Sequence, residues 1–397
     1  MAKICVADYP VQGRRVFVRV DFNVPLEGGN VADDTRIEAA LPTIQYLIDR
    51  GCPVVLASHL GRPKGEVVEG LRLDPVAQRL SDLLDCEVQK VDECVGAEVA
   101  AAAEGLQPGE ILLLENVRFH AEETANDAAF AAQLAGLADI FVNDAFGAAH
   151  RAHASTEGIA HRLPAVAGLL MQRELDVLGA LLADPSRPFV VVLGGAKVSD
   201  KIGVIEKMLT LADAVLVGGA MCFPLLKAQG VAVGTSKVED GTEAIAAQAL
   251  AAAAASACAF LLPADLVVAA AAETGVATQT VAADGIPSDH MGLDIGPQTV
   301  AAFGERLASA GTVFWNGPMG LFEIDDFAVG TRAVAEAIVA SAATSVVGGG
   351  DTVSALRRFG LEERVTHVST GGGASMEFLE GKTLPGVAAL LDVAREL

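Results

Sequence analysis

Histidine, arginine and lysine crowd into ASHLGRPKG, Ala57 to Gly65, directly after the apolar run CPVVL, so His59, Arg62 and Lys64 stand where a buried strand ends. Similar residues follow the other apolar runs of the first half: Asp21 and Asn23 after RVFVRV, Arg118 after EILLLENV, and Asp144 leading to His150 and Arg151 after DIFVN. Arg36 opens a helix-like segment, where the helix dipole ordinarily favours anions, so a cation there makes sense if it serves a bound anion. Such a set suits recognition of a small, strongly anionic molecule. In the second half the apolar runs end in glycine: GGAK (Gly194 to Lys197), GGAM (Gly218 to Met221), WNGP (Trp315 to Pro318), GGGD (Gly348 to Asp351) and TGGG (Thr370 to Gly373). Glycine lets backbone N–H groups and helix N-termini approach phosphates or a flat base without side-chain interference. Lys197 and Lys201 flank one such turn, and Asp351 stands beside another, where Mg²⁺ bridging nucleotide oxygens would sit. An anion site and a nucleotide site together suit phosphoryl transfer from a nucleotide to a small acid.

Each signal also has a plain structural alternative. His59 can be a satisfied loop histidine, and Arg62 a surface residue. Asp21 and Asn23 can shape the turn before Pro25. Asp351 can be the N-cap of the helix TVSALRRFG, Lys197 and Lys201 can be solvated charges, and Glu323 in GLFEIDD can be ordinary surface. What favours chemistry is the repetition of the pattern at several strand ends. Among the common motifs, G-x-x-x-x-G-K-[ST], H-E-x-x-H, G-x-S-x-G and a credible G-x-G-x-x-G are all missing, which counts against P-loop, metalloprotease, hydrolase and dinucleotide-dehydrogenase readings.

The elements that must position these residues alternate in kind. RVFVRVDF, CPVVLASH, EILLLENVRF and DIFVNDAF read as strands, and DDTRIEAALPTIQYLIDRG between the first two carries Ile37, Leu41, Ile44 and Ile48 at helical spacing, with Gly51 as a stop. The second half repeats this grammar with PFVVVLGG, ADAVLVGG, AFLLPADLVVA, TVFWNGP, TSVVGGG and THVST as strands. Alternating β and α elements predict an α/β protein with two doubly wound parallel-sheet, Rossmann-like domains, and in such sheets ligands bind beyond the carboxyl ends of the strands. The expected organisation is a first domain over 1–170, an interdomain helix over 171–187 from GLLMQRELDVLGALLADPSRP, and a second domain over 188–383. The two ligand sites are expected to face each other across a hinge cleft whose closure excludes water.

Bulk properties narrow the class further. The 397 residues suit two or three domains, and 52% hydrophobic content supplies ample core. A net charge of -23, from 51 acidic and 28 basic residues, argues against a nucleic-acid or anionic-membrane surface, so any anion must be bound in a local pocket against the mean field. Six scattered cysteines (Cys5, Cys52, Cys86, Cys94, Cys222, Cys258) form no C-x-x-C pair and read as buried thiols of a reducing compartment. The start MAKICVADYP has no apolar h-region, and Pro263 and Asp265 interrupt the alanine-rich stretch from Ala249 to Ala272, so the expectation is a cytoplasmic protein with neither leader nor membrane span.

Ten ordered motifs carry a resemblance. VRVDFNVP, DDTRI, SHLGRPKG, LLENVRFH, NDAFGAAHRAHAS, GGAKVSDKI, GLDIGP, WNGPMGLFE, GGGDT and STGGGASMEFLEGK, spread from near residue 16 to near residue 386, closely resemble those of the phosphoglycerate kinase family. The resemblance implies reversible transfer of the γ-phosphoryl group of ATP to the carboxylate of 3-phosphoglycerate, giving 1,3-bisphosphoglycerate and ADP, with Mg²⁺ required. It implies that Asp21, Asn23, Arg36, His59, Arg62, Arg118 and Arg151 hold the acid. Lys197, Lys201, Gly292, Asn316, Glu323 and Gly349, Gly350, Asp351 and Thr352 should surround the nucleotide, with Asp351 the metal ligand. It further implies a monomer whose C-terminal tail, 384–397, packs back on the first domain. Three positions depart from the family pattern: Ala148 and Pro224 where threonine is usual, and Ala220 where glycine is usual. Proline is tolerated in a first helical turn, so a small change in base-pocket shape is expected.

The expected mechanism is direct in-line attack by the carboxylate, with Arg36, Lys197, Lys201 and Mg²⁺ neutralising the transferring group. A kinase for a different small acid, and a nucleotide-responsive binding protein without turnover, are the rival readings. The presence of Arg36, Lys201 and Asp351 counts against the second.

Overall fold

The computed structural model describes residues 2–393. The chain divides into two compact units, one reaching Asp176 and resuming at Thr383, the other spanning Val177–Lys382.

The first unit contains β1 (Val16–Arg19), the short hairpin of β2 (Leu26–Glu27) and β3 (Asn30–Val31), α1 (Thr35–Ile48) and β4 (Val54–Ala57). There follow α2 (Asp74–Leu84), β5 (Val88–Lys90), α3 (Ala97–Gly105), β6 (Ile111–Leu113), α4 (Ala121–Thr124), α5 (Ala128–Ala135), β7 (Ile140–Asn143) and β8 (Ala165–Ala167). Its six-stranded sheet has the order β5-β6-β4-β1-β7-β8 with every pair parallel. The central strands β1, β4 and β7 are buried throughout, as β-branched and apolar runs covered on both faces should be. On α1, Ile37, Ile44 and Leu47 are fully buried against the Val16, Val18 and Phe22 side of the sheet, each contributing roughly 1.5–3 kcal/mol of burial. Pro42 removes the bond to the Glu38 carbonyl, and packing of this apolar face carries the helix past the gap. Gly51 ends the turn after α1 at φ +64°, a backbone state few other residues adopt readily. Because β1, β4, β6 and β7 run in one direction, the residues that follow them lie along a single edge of the sheet.

The second unit is entered through α6 (Leu169–Ala183) and contains β9 (Phe189–Leu193), α7 (Ile202–Leu209), β10 (Ala214–Val217), α8 (Cys222–Ala228), α9 (Glu243–Ala255) and β11 (Ala259–Leu261). After β12 (Asp265–Ala269), β13 (Thr278–Ala282) and β14 (Met291–Ile295) come α10 (Pro297–Ala308), β15 (Thr312–Asn316), α11 (Val329–Ala340), β16 (Thr344–Gly348), α12 (Gly350–Phe359), β17 (His367–Val368) and α13 (Gly373–Leu379). Its parallel sheet has the order β11-β10-β9-β15-β16-β17. Trp315 is fully buried and donates its indole N–H to the Gly317 carbonyl at 2.8 Å.

Two expectations change here. AFLLPADLVVA is not one strand: Pro263, which has no N–H to give a ladder, separates β11 in the parallel sheet from β12 in a separate antiparallel sheet of order β13-β12-β14. Cys86 is exposed, just beyond the left-handed Asp85 that ends α2, whereas the other five thiols are buried; all six are free. Among the described residues no helix is long and apolar enough to cross a membrane.

The last element, α14 (Pro385–Ala388), belongs to the first unit. Gly386 N donates to Ala149 O at 2.9 Å, Asn143 Nδ2 to Gly386 O at 3.0 Å, and Lys3 Nζ to Leu390 O at 2.8 Å while pairing with Asp392. Residues 394–397 of the expected tail lie outside the described residues.

Candidate functional site

In the first unit the strand-end residues form one connected cluster. Arg36, in the first turn of α1, donates from Nη1 to Asp21 Oδ2 at 2.9 Å, so the cation at this helix N-terminus is held by a carboxylate of the β1 end. Asn23 Oδ1 accepts from Gly61 N at 2.8 Å, and Arg118 Nη1 donates to Gly61 O at 2.9 Å, which ties the loops after β1, β4 and β6 together. Asn116 supports Arg118 from below: its Oδ1 accepts from Leu60 N and Arg118 N, and its amide donates to Leu60 O and Leu71 O. Arg118 Nε is buried with no hydrogen-bond partner, and Arg62 and Arg151 are exposed with no side-chain partner, among the described residues. The exposed guanidinium groups of Arg62 and Arg151 are free for an anion. No hydrogen bond or ion pair joins the side chain of Arg62 or of Arg151 to the cluster among the described residues.

His59 is 5% exposed. Its Nδ1 lies 3.1 Å from Arg19 Nη2 and 3.8 Å from Asp21 Oδ1. Burial pushes its pKa well below the ordinary histidine value, helped by Arg19, Arg118 and Arg36 and opposed by Asp21, so the imidazole is neutral. Asp21 is held below its usual range, against its burial, by the positive charges of Arg36 and Arg19 beside it.

The residues beneath this cluster bear fainter marks in the sequence. Arg19 lies inside VFVRV and is fully buried, as are Glu123 and Ser155, the latter at the very end of the motif NDAFGAAHRAHAS. A lone charge inside an otherwise apolar strand was the available clue, because a buried charge must have partners. Asp144, by contrast, does not join the pocket. Its Oδ1 accepts from Leu170 N and Met171 N at 3.0 and 3.1 Å, capping α6, and burial pushes its carboxyl up to about 6.

In the second unit the glycine-rich strand ends surround a cavity of about 790 Å³ lined by Lys197, Lys201, Asn316, Gly349, Gly350, Asp351 and Thr352, among others. Lys201 Nζ donates to the side-chain and main-chain oxygens of Asn316; burial pulls its pKa down to about 8, against the attraction of Asp200 and Asp351. The N-cap of α12 is Gly349 at φ +93°, not Asp351, which is left exposed in the first turn with its carboxylate on the cavity wall. Thr352 is buried, and its hydroxyl oxygen accepts from Gly317 N at 2.7 Å, leaving the hydroxyl proton to donate.

A second, more apolar cavity of about 310 Å³ shares Gly195, Ala196 and Asp351 with the first and is lined by Ala220, Phe223, Gly292, Leu293, Met319 and Glu323. Glu323 is exposed at this cavity. Ala220 lines it, whereas Pro224 is buried in the first turn of α8 and does not. Ala148 is buried in the first unit. The glycines divide by purpose. A Cβ at Gly317 would meet Gly194 O at 2.2 Å, so this residue serves close approach of two strand ends; at Gly350 it would meet nothing within 4 Å. Asp294 was also missed: it is buried, caps α11 by accepting from Gly330 N at 2.6 Å, and is pushed up to about 7 by burial.

The family model for phosphoglycerate kinase matches residues 6–382. The chain belongs to the phosphoglycerate kinase family. A curated phosphoglycerate kinase of Moorella thermoacetica is 57% identical over 392 residues, covering 99% of this chain and 100% of that protein. One from Rubrobacter xylanophilus is 58% identical over 390 residues, covering 98% of each. The solved phosphoglycerate kinase of Coxiella burnetii superposes with a TM-score of 0.89 at 40% identity, covering 98% of each chain. As a phosphoglycerate kinase the chain is a phosphotransferase with a carboxyl acceptor, and its fold is that of two parallel-sheet α/β domains.

Proposed function

We propose that the cationic cluster of the first unit holds 3-phosphoglycerate and the paired cavities of the second hold ATP or ADP, for transfer of the γ-phosphoryl group to the acid's carboxylate. The observation that carries this reading is the pair of exposed guanidinium groups, Arg62 and Arg151, that have no side-chain partner among the described residues in a chain of net charge -23. Donors left unpaired against such a mean field are suited to an anionic ligand.

On the acid side, Asp21 and Asn23 orient Arg36 and the Gly61 loop, His59 offers a neutral N–H, and Arg62, Arg118 and Arg151 supply charge. On the nucleotide side, the apolar cavity beside Ala220, Phe223 and Gly292 suits a base, and Glu323 suits ribose hydroxyls. Lys201, Lys197, Asn316 and the Gly349–Thr352 turn line the larger cavity, which suits the phosphates. Attack is in line and needs no covalent intermediate; Arg36, Lys197 and Lys201 offset charge on the equatorial oxygens.

Asp351 is the residue that would hold Mg²⁺. Among the described residues no three carboxylate, histidine or cysteine groups form a cage, and one exposed carboxylate fits an ion that keeps most of its ligands as water and substrate phosphate. When bound, the ion supplies neutralisation of the phosphate oxygens.

The test is ATP- and Mg²⁺-dependent phosphorylation of 3-phosphoglycerate by the purified chain, coupled to reduction of the acyl phosphate. Turnover that EDTA abolishes is the expected result. Turnover with another small acid but not with this one would refute the substrate assignment.

A further inference from the structure

Arg19 is 0% exposed and is held on three sides. Its Nε donates to Ser155 Oγ at 2.8 Å, its Nη1 to the Val20 carbonyl, and its Nη2 faces His59 Nδ1 at 3.1 Å. Ser155 is itself committed: its hydroxyl donates to Glu123 Oε1 at 2.7 Å and its backbone N–H to Oε2 at 2.9 Å. The serine proton therefore points to Glu123, and the serine lone pair is what remains for Arg19. His153 Nδ1 stands 3.6 Å from Glu123 Oε1 on the far side. The whole run is dry, since Glu123 and Ser155 are also 0% exposed.

An arginine keeps its proton in a protein and has no acceptor to offer. A nitrogen facing one of its N–H groups at hydrogen-bond distance must therefore accept. That fixes the lone pair of His59 on Nδ1. Asp21 Oδ1, at 3.8 Å from the same nitrogen, is too distant to claim a proton there. Nε2 makes no hydrogen bond among the described residues, so its proton is uncommitted.

We infer that Arg19, steered by Ser155 and Glu123, is a positioning residue that holds His59 as the neutral imidazole with its proton on Nε2. In that form His59 presents a donor to an anionic substrate without carrying a charge of its own. The charged groups facing His59 are Arg19, Arg36 and Arg118, which disfavour the imidazolium, and Asp21, which favours it; burial sides with the arginines. Arg19 touches no substrate in this scheme and acts only through the ring. Its value as an acid-site residue rests on the proposal that His59 binds the acid, whereas the tautomer itself does not.

The experiment is ¹⁵N NMR of the full-length protein labelled at histidine, with His59 assigned by His59→Gln. The wild type should show a pyridine-type Nδ1 and a protonated Nε2 from about pH 6 to pH 8. Ser155→Ala, which removes the acceptor for Arg19 Nε without adding volume, should mix in the other tautomer or the cation. The same variant should raise KM for 3-phosphoglycerate by about tenfold, in keeping with a weakened hydrogen bond to a charged ligand, with KM for ATP within about twofold. Ser155→Thr, which keeps the hydroxyl, should restore the wild-type spectrum. A proton on Nδ1 or an imidazolium in the wild type at pH 7 overturns the inference, as does an unchanged spectrum in Ser155→Ala. If His59→Gln leaves KM for the acid unaltered, the acid-site assignment fails while the tautomer result stands on its own.

Discussion

Replacing Lys201 by methionine isolates what a buried ammonium contributes to a polyphosphate site. The free protein holds this lysine against Asn316 with its pKa pulled down to about 8. Phosphate oxygens favour the charged form and should return it toward ~10.4, the ordinary lysine value. The sign follows directly. As pH rises through about 8 the free protein loses the Lys201 proton while the complex keeps it, so nucleotide affinity falls and each nucleotide takes up a proton. With a free-state value of about 8, roughly 90% of the sites are protonated at pH 7 and roughly 10% at pH 9, so the Kd for ADP should rise about tenfold between them. Calorimetry in two buffers of different ionisation enthalpy counts the protons: ~0.1 per ADP at pH 7 and ~0.9 at pH 9. Lys201→Met should bind ADP more weakly at pH 7 and show no such dependence. A wild-type Kd that is flat from pH 7 to 9 with no proton uptake would refute the argument. The same lowered pKa means the unfolded chain binds this proton more tightly, so Lys201 alone makes stability rise with pH between about 8 and ~10.4.

Arg36→Ala should cut kcat by ~10³, the scale of a cationic clamp in phosphoryl transfer, while ADP affinity by calorimetry stays within about threefold. A kcat within about tenfold of wild type would remove Arg36 from that role. Arg118→Ala should instead raise KM for the acid with little change in kcat, because an anchor made equally in ground and transition states lowers KM alone; equal losses in both parameters would contradict it. Gly292→Ala should weaken nucleotide binding with the fold retained, since a Cβ there would meet the Phe223 ring at 2.4 Å and force it to swing within the apolar cavity. Calorimetry with ADP reads the loss, and circular dichroism checks the fold.

Much of this was legible because buried parallel strands announce themselves as apolar runs, and VFVR, VVLA, IFVN, FVVVL and TVFWN all lie where such runs occur. Other elements carry weaker marks. The strand Thr278–Ala282 is exposed along most of its length and has no apolar run to betray it, while Val88–Lys90 and Ala165–Ala167 are only three residues long. The chemistry was legible where a polar residue stood at a strand end. It was hidden where the residue faced inward: Arg19 sits amid valines, and its partners Ser155 and Glu123 are 136 and 104 residues away from it in sequence, by their numbering. Asp351 and Asp144 needed backbone geometry to be read. Position left Asp351 open to a cap or a metal role, and Gly349 takes the cap of α12, while Asp144, at the end of a strand, reaches across to cap α6.

The first unit is discontinuous in the chain, and that has a consequence for its birth. The outer edge of β8 is met by Ala167 N donating to Ile4 O and by Leu391 N donating to Ala165 O, with Ile4 N in turn donating to Leu391 O. An uncovered sheet edge is a template for wrong partners. A ribosome starts this unit first yet must translate all of Val177–Lys382 before Leu391 emerges to cover that edge. The unit begun second is thus complete before the first, which waits, with one seam open, for the codons around Leu391 to close it.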